Sequence, residues 1–240
     1  MYQPSLEGQL GLFLLTQMGK DTKKKFPTTA DALKAAKKGE ISMTDVVSVG
    51  KTKTTAGRIA FNKALPKKVR DEAYLTDKNL VMGGKKLQEV LRRVATEAPG
   101  DFRPTADNLK DLGFGYAYNI GFSFKRSDFT TLRKVREKHI KVAQAEAAKL
   151  SGSQEAKNKK IVAIYTKATK DMSAEAKKVL SKQGSNLFAM YLAGVKPGWA
   201  QIQQLILAPM LLENAKGDVI PVPVTRSYSE GLDSAGYWVA

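Results

Sequence analysis

From Ser127 to Lys182 the sequence is densely charged and helical in pattern, interrupted once by "SGSQEAKNKK". Before the interruption Leu132, Val135, His139 and Val142 recur at spacings of three and four; after it Ile161, Tyr165, Ala168 and Met172 do the same. Stripes this narrow bury against a single neighbour, and a polar linker lets the chain double back to supply that neighbour. The pattern predicts an antiparallel helical hairpin whose tip, rich in Ser, Gln, Asn and Lys, faces solvent. His139 is the sole histidine and falls on the seam. One histidine supplies neither a metal cluster nor a Ser-His-Asp arrangement, so it is read as a packing residue.

On the N-terminal side of the hairpin the patterns are mixed. "LGLFLLT" is an apolar element, followed by the lysine run Lys23 to Lys25, which suits either a solvated loop or a phosphate contact. In "FPTTADALKAAKKGE" Thr29 is placed to cap a short helix that Gly39 ends. "TTAGRIAFNKALP", Thr54 to Pro66, reads as punctuation followed by a short core element. Residues 76 to 112 are mainly helical, with Leu87, Val90, Leu91 and Val94 on one face and a further helix from Thr105 to Leu112. In "FGYAYNIGFSF" the large residues Phe114, Tyr116, Tyr118, Ile120, Phe122 and Phe124 alternate with small or polar ones. That period predicts a strand with one buried face, and an aromatic ladder of this kind also suits base stacking.

After the hairpin, "AGVKPG" breaks a helical pattern and sets Lys196 among backbone amides free to face an anion, although a plain helix connection uses the same residues. "NAKGDVIPVPVT" predicts a turn and a Pro-interrupted edge strand. The sequence thus specifies a mainly α fold with short β segments, an α+β class, in which a helical hairpin projects from a mixed base rather than from an autonomous compact domain.

Composition narrows the function classes. In 240 residues, 40 Lys and Arg against 23 Asp and Glu give a formal charge of +17, which points to a polyanionic partner, nucleic acid ahead of a membrane. No cysteine is present, so disulfides and thiolate metal sites are excluded. "MYQPSLEGQLGLFLLTQMGK" has too short an apolar run for a signal peptide or a membrane span, so no membrane role is expected. The sequence has no phosphate loop, no nucleophile elbow and no zinc pattern, and its acidic residues are scattered. No catalytic residue and no metal ligand is assigned.

The order of segments resembles the largest, beta-prime subunit of multi-subunit DNA-dependent RNA polymerases, between its magnesium-binding loop and its bridge helix. "LGLFLLT" followed by "FPTTADALKAAKKGEI" resembles the family's "LGLYYLT" and "F…A…A…GE". Thr54 to Pro66 is similar to "TTxGRxxFNxxLP", and "DLGFGYAYNIGFSFKRSD" to "LGFxYATxxGxSIxxxD". "AGVKPGWAQIQQL" resembles "SGARGSAAQIRQL", the F loop, and "GDVIPVPVTRSYSEGL" resembles "GxIIETPITxNFREGL". The resemblance implies that residues 1–126 correspond to the pore and funnel region, 127–183 to the rim helices, and 184–240 to an F-loop-like segment leading to the bridge-helix position. It also restricts the strand expected in the aromatic stretch to Phe122 to Phe124.

The family's Asn-Ala-Asp-Phe-Asp-Gly-Asp loop is absent, and the sequence ends at Ala240 where the bridge helix is expected. The resemblance therefore implies one piece of a naturally split largest subunit of a giant-bacteriophage RNA polymerase, a nucleotidyltransferase whose Mg sits in another chain. It would form secondary-channel wall and support nucleotide addition. Lys196 matches the basic residue of "GARG" that approaches the incoming triphosphate, with Gln201 and Gln204 supporting the loop. Implied partners are the remaining largest-subunit fragments, beta-like chains, template DNA, RNA and NTPs, in the host cytoplasm during infection or packaged in the virion. Partner chains are expected to cover the apolar surface of "LGLFLLT" and "GYWVA". The alternative is a free-standing basic nucleic-acid-binding protein, of virion or nucleoid type, without catalysis.

Overall fold

A computed structural model describes residues 4–240. The chain divides into two units: one runs to Phe122 and takes back Leu192–Lys196, the other comprises Ser123–Tyr191 and Pro197–Ala240. No helix of the described residues is long and apolar enough to cross a membrane.

The first unit begins with α1 (Leu6–Leu15), in which every residue from Gly8 to Leu15 is buried. "LGLFLLT" is therefore core of its own unit and not surface awaiting a partner. Strand β1 (Asp21–Phe26), helix α2 (Thr29–Lys37), β2 (Val46–Val49) and β3 (Thr52–Thr55) follow. β1 pairs parallel with β2, with α2 as the crossover, and β3 returns antiparallel to β2. Val47, Ala35, Ile41 and Ala56 form the small core between sheet and helices. The lysine run is the exposed edge strand β1, whose register slips between Asp21 and Lys25 where Lys23 takes φ +59°. Lysines and an irregularity together discourage further strand pairing at that edge. Thr28, one residue earlier than expected, caps α2: its Oγ1 accepts from Asp31 N at 3.2 Å and donates to the Asp31 carboxylate at 2.7 Å.

Helix α3 (Ala56–Ala64) grows directly out of β3, with the Thr55 hydroxyl accepting from Arg58 N. A short α4 (Ala73–Thr76) brings Tyr74 edge-on to Phe61, and α5 (Gly84–Glu97) buries Leu87, Val90, Leu91 and Val94 as its periodicity predicts. Helix α6 then runs unbroken from Phe102 to Ile120. The strand expected in the aromatic stretch does not form, and Phe122 to Phe124 are in no strand. The reason is packing on α1. A Cβ on Gly11 would lie 1.9 Å from Gly113 O, and one on Gly113 would lie 2.1 Å from Gly8 O. The buried stripe of α6 is Ala106, Leu109 and Gly113, at helical spacing, with a glycine where the backbones touch. The alternating aromatics distribute around the helix; Tyr116 is half-buried, while Tyr118 is 87% exposed.

Arg58 ties this unit together. It is fully buried, and its guanidinium donates to the carbonyls of Thr16 and Asp77, at 2.8 and 2.7 Å, and to that of Leu80. Burial pushes its pKa below the ordinary arginine value, with the Asp77 carboxylate opposing the shift. One planar fork thus joins the end of α1 to the segment between α4 and α5, and Thr16 Oγ1 accepts from Met82 N alongside it.

In the second unit α7 (Arg133–Ala147) and α8 (Gln154–Gln183) form the expected hairpin. Ser153 caps α8 and Gly152 turns the tip at φ +113°. Tyr165, Ala168 and Met172 are buried, with Ile161 partly so, but on α7 the inward residues are Val135, Ile140 and Ala143. Val142 is 57% exposed, because the stripe runs 136, 140, 143, 147 in step with 3.6 residues per turn and passes beside it. His139 is more than a packing residue: its Nε2 lies 2.9 Å from Glu175 Oε2, which also accepts from Lys138 at 2.8 Å. These bonds hold the Glu175 carboxyl below the usual carboxylate range, Lys138 contributing most.

Helix α9 (Asn186–Ala193) contributes Leu187 and Phe188, and α10 (Trp199–Ile206) contributes Ile202 and Ile206, to the hairpin's core. The expected edge strand after Asn214 is reduced to two isolated antiparallel bridges, Met210 with Val224 and Glu213 with Val219. The prolines at 221 and 223 lack the N–H groups a ladder requires. Helix α11 (Ser234–Val239), capped by Asp233, leaves Tyr237 and Trp238 exposed.

Replacing Arg58 by Met should destabilise the first unit by roughly 3 kcal/mol or more, since three buried carbonyls lose their donor. Arg58→Lys should recover only part of this. Native-state hydrogen exchange of α1 and α3 amides is the measurement; protection unchanged in Arg58→Met would refute the role.

Candidate functional site

The loop between α9 and α10 carries the residue assigned by sequence, Lys196. Its side chain is exposed at a bend. The backbone leading to it is held tightly within the first unit. Gln9, 4% exposed on α1, donates its amide to Ala193 O at 2.5 Å. Gly194 follows at φ +76°, a conformation that favours glycine. Gly83 and Gly84 open α5 against the same segment: a Cβ on Gly83 would lie 2.6 Å from Leu192 O, and one on Gly84 would lie 2.7 Å from Gln9 Nε2.

The two glutamines assigned to loop support are on α10 in the second unit and behave differently. Gln201 folds back over the helix start, its Oε1 accepting from Gly198 N at 2.6 Å. Gln204 is half-buried. The buried glutamine is Gln203, which sequence reading passed over. It donates to Ala208 O at 3.2 Å and accepts from Ser173 Oγ at 2.8 Å; Ser173 in turn accepts from Trp199 Nε1 at 3.0 Å. This chain fastens the start and the middle of α10 to Ser173 of α8 and leaves the buried amide satisfied. Beside it the Lys177 ammonium lies 4.6 Å from the Trp199 ring centre and 5.1 Å from that of Tyr191, within cation–π range of both. The signal for Gln203 was present in "WAQIQQLI": Ile202 and Ile206 define the inward face, and Gln203 lies 100° from Ile202 on the same arc. Gln9 was legible as the one polar residue inside "GQLGLFLL". Nothing in the sequence pairs it with Ala193.

A second polar lock lies where "SYSEGL" meets the base of α7. Arg136, 5% exposed, pairs with Glu230, which also accepts from Ser227 Oγ at 2.9 Å and lies 3.2 Å from the Arg133 guanidinium. Ser229 Oγ donates to Leu205 O at 2.6 Å, and Leu132 N to Ile206 O at 2.9 Å. The Arg136 guanidinium above all, with Ser227 and Arg133, draws the Glu230 pKa down to about 2. Among the described residues no three His, Asp or Glu side chains come together in a way that would hold a metal ion.

No family model matches the chain. Individual relatives do. It is 31% identical to the DNA-directed RNA polymerase subunit beta′ of Bifidobacterium animalis subsp. lactis and 30% identical to that of Kocuria rhizophila, each over 78% of this chain and 14% of the relative. Against the same subunit of Streptomyces avermitilis it is 27% identical over 99% of this chain and 21% of the relative. The chain thus spans between a seventh and about a fifth of the length of the curated relatives it matches.

The Glu230 carboxylate has its folded pKa below the ordinary 4.5, so its stabilisation is fully present above pH about 4.5 and is lost as pH falls toward about 2. Parental and Glu230→Gln chains should therefore differ by on the order of 2–3 kcal/mol near neutrality and converge on acidification. Both tryptophans, Trp199 and Trp238, are in this unit, so urea midpoints by tryptophan fluorescence report it. A gap that stays constant from pH 7 to pH 2.5 would contradict the assignment.

Proposed function

We propose that this chain is part of the largest subunit of a DNA-directed RNA polymerase, and that Lys196 meets the triphosphate of the incoming nucleotide. The similarity to beta′ subunits at 27–31% identity over 78–99% of the chain supports the assembly. The observation that carries the site is Lys196 itself: an exposed ammonium on a loop whose backbone is pinned three residues earlier. Triphosphate charge grows more localised on the leaving group during nucleotide addition, and a fixed cation facing it lowers that barrier. A lysine supplies charge without the bidentate geometry of an arginine.

Among the described residues no three His, Asp or Glu side chains come together as a donor set. In this reading Mg is held elsewhere in the assembled enzyme, and this chain orients substrate and lines the channel through which nucleotides arrive. Division of the largest subunit among several chains of a phage polymerase, acting in the infected host or carried in the virion, is the finer form of the proposal. Identification of the chains that co-purify with this one tests it.

The second reading, a free-standing basic binding protein, draws support from the charge distribution, since all nine lysines from Lys20 to Lys53 are exposed. It requires a chain that binds nucleic acid alone, and isolation only within a complex of polymerase subunits would exclude it.

In the assembled polymerase, Lys196→Ala should weaken nucleotide use by roughly 1 to 3 kcal/mol, the scale of a charge-assisted contact, while DNA binding is unchanged. Lys196→Arg should retain most activity. RNA extension at the parental rate by the alanine variant, at limiting nucleotide, would remove Lys196 from the site.

A further inference from the structure

Gln9 sits in a helix that is otherwise apolar on every buried position, and a buried amide is costly unless its hydrogen bonds are made. Its partner explains its presence. Ala193 is the last residue of α9, so its carbonyl has no acceptor role within the helix, and the Gln9 amide fills that vacancy from a segment 184 residues away in sequence. Three glycines crowd the same point. A Cβ on Gly84 or Gly194 would come within 2.7 or 2.9 Å of Gln9 Nε2, and a Cβ on Gly83 within 2.6 Å of Leu192 O. The close approach is therefore made from three directions at once: α1, the start of α5 and the end of α9.

Lys196 follows Ala193 by three residues, so its Cα lies within about 11 Å of the clamped carbonyl however the loop is drawn. Gly194 is itself held at φ +76° in this contact, which removes the most mobile link of the connection. We propose that Gln9 is a positioning residue for Lys196, acting through the Ala193 carbonyl to fix where the ammonium stands; this rests on the reading of Lys196 as a triphosphate contact.

The test is a double-mutant cycle in the assembled polymerase, reading KM and kcat for single-nucleotide addition. Gln9→Met keeps the length and removes the donor. It should raise KM for the nucleotide roughly 3- to 10-fold, the range spanned by one hydrogen bond, with kcat little changed. In the Lys196→Ala background the same substitution should add nothing. Gly194→Asn is the second probe: asparagine tolerates positive φ, but its Cβ meets Gln9 Nε2, so it should reproduce the effect and carries the test if Gln9→Met does not assemble. If Lys196→Ala alone leaves KM unchanged, the reading of Lys196 fails. If Lys196→Ala raises KM but Gln9→Met and Gly194→Asn do not, the positioning role fails. An equal rise in both backgrounds also overturns it, because Gln9 would then act on something other than Lys196.

Discussion

The first unit depends on a guanidinium placed where no solvent reaches it. Arg58 holds three main-chain carbonyls, from the end of α1 and from the stretch between α4 and α5, and these are segments with no regular secondary structure to pair them. A charge this deeply buried is stable only because each nitrogen of its fork is answered, and the answer comes from backbone rather than from a mobile side chain. Once those carbonyls are fixed, the C-terminus of α1 has one position, and the register of α1 against its neighbours follows.

That register governs the rest of the unit. With α1 in place, Gly8 and Gly11 face Gly113, and the helix backbones come together more closely than any side chain would permit. Gln9, between these glycines in sequence, points to another side and reaches Ala193 O. A single helix therefore organises two contacts of different kinds, one steric and one polar. The loop that carries Lys196 inherits its anchor from the second.

In the second unit polar contacts buried at the foot of the hairpin play the corresponding part. Arg136 with Glu230, and the chain Trp199, Ser173, Gln203, Ala208, tie segments far apart in sequence to the two hairpin helices. Apolar packing of Met172, Leu180, Ile202 and Ile206 supplies the bulk of the core, but it is non-directional. The hydrogen bonds select the one arrangement in which α10 stands against α8 with its buried amide paired.

The resemblance to a polymerase subunit rests on particular motifs in a particular order, while local periodicity in the sequence determined the hairpin, the buried face of α5 and the α+β class. These are properties of residues within one or two helical turns, where spacing alone decides which side chains share a face. The basic character was equally legible, because charge is additive. The aromatic stretch misled for a related reason: large residues at alternate positions satisfy period two, yet the residue that matters in α6 is Gly113, whose importance is the absence of a side chain at a contact with α1. The partners of Arg58, Gln9, Gln203 and Glu230 were invisible for the same cause. Each bonds a group brought near only by folding, usually a backbone carbonyl, and a carbonyl is identical at every position in the chain. What residue pattern cannot distinguish, tertiary structure alone assigns.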